Sequence, residues 1–124
     1  AHTAAADVLL GERVTAEMVK NDPEHAPVSA KMKHLLEIAR RTQADARTVS
    51  PELVEKARAA GATDLEIHDT VLIAALFCLY NKYVDGLATV TPTEPAFYDR
   101  LANILKTSGY MPSPNRYASL NENK

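Results

Sequence analysis

Tryptophan is missing from these 124 residues, which hold only two phenylalanines, four glycines and one cysteine. Each shortage excludes something. One thiol cannot close a disulfide within the chain, which suits a reducing compartment, so a cytoplasmic location is expected. The glycines form no phosphate-cradling loop, and no serine sits in a nucleophile elbow. The longest apolar run, Val71 to Tyr80, has ten residues, against the roughly twenty that a membrane-spanning helix needs. Formal charge is −2 with acids and bases interspersed, and the basic stripe of a nucleic-acid binder is absent. The opening AHTAAADVLL has no basic stretch before its short apolar segment, so no signal peptide is expected.

The histidines, His2, His25, His34 and His68, are scattered, and no cysteine or acid completes a zinc pattern around them. Neither a metal nor a cofactor is expected. With 46% hydrophobic residues and few aromatics, the core has to come from Ala, Leu, Val and Ile. Such a core is thin, and subunit association would help it. Composition alone gives no subunit number.

What the chain does have is helix punctuation. Gly11 ends an Ala- and Leu-rich helix from Thr3, and Thr15 can cap a short helix carrying Met18 and Val19. Ser29 caps a helix with Met32, Leu35, Leu36 and Ala39 on one face. Ser50-Pro51-Glu52 is a cap, a first-turn proline and a first-turn acid, and Gly61 is the matching stop. Thr63 and Glu66 have capping-box spacing and open a long helix from Asp64 to Ala88. Thr91 to Pro95 reads as linker and cap for a last helix carrying Phe97, Tyr98, Leu101, Ile104 and Leu105, closed by Gly109. No stretch alternates over strand length. The expected fold is all-α with about six helices and one long, central, buried helix. Residues 1–110 read as one helical domain and 111–124 as a polar tail.

The long helix carries the candidate chemistry. Steps of four and three put Ile67, Val71, Ala74, Cys78, Asn81 and Asp85 on one face, so an apolar seam leads into an amide and a carboxylate. Cys78 reads first as a small buried hydrophobe, because a thiol without a cationic partner is inert. Asn81 and Asp85 read as an interface or local cap, or as the polar floor of a pocket.

Four stretches carry a family resemblance: AHTAAADVLLGERVTAEMVKND, VSAKMKHLLEIARRTQADARTVSPELVEKARAAGATDLEIHDTV, AALFCLYNKYVDGLA and FYDRLANILKTSGY. Together they resemble the alkyl hydroperoxidase D-like family, which is similar to the carboxymuconolactone decarboxylases, and within it the peroxidase-related branch. The third stretch is the most specific, with Phe77, Asn81, Asp85, Gly86 and Leu87 in the family's pattern and Lys82 where an arginine is usual. The resemblance implies the alkyl hydroperoxidase D-like helical fold, a homo-oligomer (dimer, trimer or hexamer) assembled through the long helix, and an antioxidant oxidoreductase that reduces a small hydroperoxide with a thiol reductant. Its Cys-x-x-Cys motif ends, three residues on, in a histidine that aligns with His2, implying a proton relay there. Both cysteines of the pattern would then precede Ala1, and this chain alone is expected to be a weak peroxidase or an inactive one. Two alternatives stay open. One is carboxymuconolactone decarboxylase-like chemistry using Asp85, Asn81 or His68, and the other is a non-catalytic helical oligomer.

Overall fold

The computed structural model describes residues 2–111, and the expected polar tail lies, apart from Met111, outside the described residues. Six α-helices follow one another: α1 (His2–Leu10), α2 (Val14–Asn21), α3 (Ala30–Asp45), α4 (Pro51–Ala59), α5 (Asp64–Gly86) and α6 (Pro95–Ser108). A 3₁₀ turn, Ala46–Thr48, follows α3, and there is no strand among the described residues. The all-α class with about six helices is what the sequence reading expects.

Most helices start where the side chains dictate. Ser29 Oγ accepts from Met32 N at 3.1 Å, and Ser50 Oγ accepts from Leu53 N at 3.3 Å, ahead of Pro51. The box at α5 is complete: Glu66 N donates to Thr63 Oγ1 at 3.1 Å and Thr63 N to Glu66 Oε2 at 2.8 Å. Each such bond satisfies an amide that the helix leaves without an internal partner. Two starts differ from expectation. At α2 the cap is the Glu12 carboxylate, which accepts from Val14 N at 2.5 Å and Thr15 N at 3.2 Å, so Thr15 lies inside the helix. At α6 Glu94 makes no side-chain cap bond, and Pro95 begins the helix by its fixed φ.

Helix ends are equally local. Gly61 takes φ +94° while Ala62 N reaches Ala57 O at 2.9 Å, a Schellman closure that requires a left-handed residue. The end of α5 closes the same way, with Thr89 N to Val84 O at 3.1 Å, but there the left-handed residue is Ala88 at φ +49°.

The chain divides into two compact units, one holding residues 2–17 and 92–111 of the described chain, the other Met18–Thr91. In the first, α1 packs on α6, and Ala5 and Ala102 are its buried residues. In the second, α3 packs on α4 and α5 around Leu35, Ile38, Ala57, Ala62 and Ile67, with Val49, Leu53, Val54 and Val71 against them. The alanine content explains both the close helix approach and the small size of these cores.

One expectation needs correcting. The long helix forms as read, but its apolar middle is not buried within the chain. Ile67 is its only buried residue, while Leu72, Ile73, Leu76, Phe77, Leu79 and Tyr80 are all exposed. Two causes act: Leu72, Ile73, Leu76 and Leu79 lie on sides of the helix turned away from the Ile67 and Val71 contact, and the helix outruns its partner. With 23 residues α5 runs about 34 Å, whereas the 16 residues of α3 span about 24 Å. The partner contact lies at the N-terminal part of α5, through Ile67 and Val71, and the helix continues past it.

Candidate functional site

In the first unit the functional candidate is His2, the opening residue of α1. Its imidazole Nε2 lies 2.7 Å from the Tyr110 hydroxyl. The two rings stack at 6.0 Å between centroids, 30° from parallel. Partial burial pushes the imidazole pKa below its ordinary value, because desolvation penalises the charged form. An imidazole held against a phenol can take a proton and give it back. Tyr110 was not legible from sequence as its partner: the two are 108 positions apart, and only α1 packing on α6 brings the chain ends of this unit together.

The same unit has an open cavity of about 280 Å³ lined by Ala4, Asp7, Val8, Gly11, Glu12, Arg13 and Asp99. Arg13 and Asp99 face each other across 3.8 Å, both well exposed. Asp7 Oδ1 is shielded from solvent and accepts no hydrogen bond. That oxygen is the one polar atom of its kind among the described residues.

In the second unit the seam of α5 is laid out as the spacing requires, but its burial fades along the helix. Ile67 is buried, Val71, Ala74 and Cys78 are half-buried, and Asn81 and Asp85 are exposed. The expected inner-face position of Asn81 and Asp85 is thus corrected: the seam runs past the end of its packing partner before it reaches them. None of the cavities described here is lined by Cys78, Asn81 or Asp85. His2 and Cys78 belong to different units.

Two polar clusters went unremarked in the sequence reading. On α3, Glu37 receives Arg40 through Nε at 2.7 Å and a second guanidinium nitrogen at 2.6 Å, and Arg41 Nε at 2.7 Å. Those hydrogen bonds, Arg40's first, hold the Glu37 carboxyl down at about 2. The spacing E-x-x-R-R was the available signal, since residues three and four apart share a helix face. Glu37 and Arg40 border a cavity of about 470 Å³ floored by Val19, Pro23 and Leu36. Nearby, His25 Nδ1 sits 2.9 Å from Asp22, whose hydrogen bond raises the imidazole pKa.

His68 pairs with its neighbour Asp69 at 3.1 Å. Among the described residues no group of three or more His, Cys, Asp or Glu side chains could hold a metal ion. No described helix is long and apolar enough to cross a membrane. No family model matches the chain, and no curated protein or solved structure matches it either.

Proposed function

We propose that this chain is the helical part of a peroxidase-related antioxidant protein of the alkyl hydroperoxidase D-like kind, working in the cytoplasm on a small hydroperoxide with a thiol reductant. The observation that carries the reading is His2. An imidazole whose pKa desolvation lowers, held 2.7 Å from a tyrosine hydroxyl, opens helix α1, at the position where the family pattern has its proton relay.

The chemistry that such a relay serves balances simply. A thiolate attacks the terminal oxygen of the hydroperoxide, the O–O bond breaks, and sulfur is oxidised to a sulfenic acid. As the thiolate forms, the His2 ring takes the thiol proton, and the resulting imidazolium returns it to the departing alkoxide, while the Tyr110 hydroxyl at Nε2 holds the ring in place. A second thiol then displaces water from the sulfenic acid to give a disulfide, and the thiol reductant returns both sulfurs to thiols. In the family pattern the two thiols precede the histidine. Cys78 is a different sulfur, half-buried in the other unit, and serves packing in this reading.

The test is hydroperoxide consumption by the protein from its native source, with dithiothreitol as reductant. His2→Gln should lower turnover about a hundredfold, the low end of what one acid–base group supplies. Cys78→Ser should leave turnover unchanged. Thiol-independent turnover of a lactone substrate would instead favour the decarboxylase-like alternative.

A further inference from the structure

The cavity beside α3 has no part in the His2 chemistry. Its volume of about 470 Å³ lies in the ordinary range for a small-molecule pocket. All its walls come from one stretch of the second unit, between Val19 and Arg40. The end of α2 and the turn after it form one side, and Lys33, Leu36, Glu37 and Arg40 of α3 form the other. At about 100° per residue those four positions share one side of α3, roughly opposite Leu35 and Ile38, which meet the core.

Its lining is two-sided in character. Val19, Pro23 and Leu36 make an apolar floor, while Lys20, Lys33 and Arg40 outnumber Glu24 and Glu37 around it. The Glu37 carboxylate is already engaged by two guanidinium groups, those of Arg40 and Arg41. Lys33 differs from its neighbours. Half-buried, it donates from Nζ to the Glu24 carbonyl oxygen at 2.5 Å, and it forms no ion pair among the described residues. A carbonyl satisfies one hydrogen of the ammonium group and leaves its charge without a counter-charge.

We propose that this cavity binds a small amphiphilic monocarboxylate, with its head on the Lys33 ammonium and its alkyl chain on Val19, Pro23 and Leu36. The head would make a charge-assisted hydrogen bond, and each methylene laid on the floor would add apolar burial. One negative charge suits the site better than two. The rim has a single cation in excess, and a phosphate dianion would press its second charge against Glu24 and Glu37. His2 lies in the other unit, so this site stands whether or not the chain reduces hydroperoxides.

Calorimetric titration of the protein from its native source with octanoate should give a Kd of about 1 mM, which some ten heavy atoms reach at moderate ligand efficiency. Acetate, with no chain, should give no measurable heat, and 1-octanol, with no charge, should bind about fivefold more weakly. Methyl resonances of Val19 and Leu36 should move on adding octanoate, and those of Leu72 and Leu76 on the exposed side of α5 should not. Lys33→Gln should weaken octanoate about fivefold, Lys33→Arg should restore it, and Lys106→Gln in the other unit should change nothing. Equal affinity for octanoate and 1-octanol overturns the proposal. So do unaltered binding by Lys33→Gln, resonance shifts centred on α5, or the absence of any octanoate binding.

Discussion

Ile38→Ala is the sharpest probe of how little holds the second unit together. Among the described residues Ile38 is the one large side chain sealed completely from solvent, at 0% exposure, and it belongs to the core cluster of α3, α4 and α5. The substitution removes three carbon groups, each worth about 0.8 kcal/mol on burial, and leaves a cavity that adds about 1 kcal/mol. Its neighbours Val49, Leu53, Val54 and Val71 are only partly buried and can move inward, which trims the cavity term. A loss of about 3 kcal/mol follows. Ordinary domains have roughly 0.05–0.15 kcal/mol per residue in hand, so a unit spanning Met18–Thr91 commands about 4–11 kcal/mol. The variant should therefore lose a quarter or more of the unit's stability, whereas Ile38→Val should lose about 1 kcal/mol. Urea unfolding followed by far-ultraviolet circular dichroism, at one fixed protein concentration, measures both. A loss under 1 kcal/mol for Ile38→Ala, with an unchanged denaturant slope, would mean that the core described here is not what stabilises the unit.

Other perturbations test other links. Thr63→Ala removes one half of the α5 capping box and should cost about 1 kcal/mol in the same unfolding assay. Ala88→Gly relieves a left-handed alanine worth about 1–2 kcal/mol of strain, less the extra chain entropy of glycine, so a gain of about 0.5–1 kcal/mol is expected. Glu37 titrates at about 2 in the fold against an ordinary 4.5, because Arg40 and Arg41 hydrogen-bond its charged form. A depressed carboxyl stabilises the fold above its unfolded value and stops doing so as pH falls toward 2. Urea midpoints should thus decline between pH 4.5 and 2, and Glu37→Gln should flatten that part of the curve.

Helix starts were legible in the sequence wherever one short polar side chain decides them, at Ser29, Ser50 and Thr63. They were misread where the cap came from elsewhere: Glu12 rather than Thr15 holds the first amides of α2. The stop of α5 was also hidden, because glycine marks a left-handed position reliably and Ala88 occupies this one against its steric preference. Periodicity placed Cys78, Asn81 and Asp85 on the face that begins at Ile67. It could not say how far a neighbouring helix extends along that face, and α3 is too short to cover it. The His2–Tyr110 pair depends on how α1 and α6 pack, and no local pattern encodes it. Which side of α5 faces outward was masked in the sequence by a run that is apolar all round. Only the exposure of Leu72, Leu76 and Leu79 separates the two faces.

The functional proposal stands or falls on which sulfur reacts and whether His2 serves it. The decisive measurement treats the native-source protein with one equivalent of tert-butyl hydroperoxide, alkylates the remaining thiols and maps them by mass spectrometry. The account predicts that two thiols are lost per hydroperoxide consumed, that Cys78 remains alkylated, and that His2→Gln slows the loss about a hundredfold. Oxidation of Cys78, or no hydroperoxide consumed at all, would contradict it.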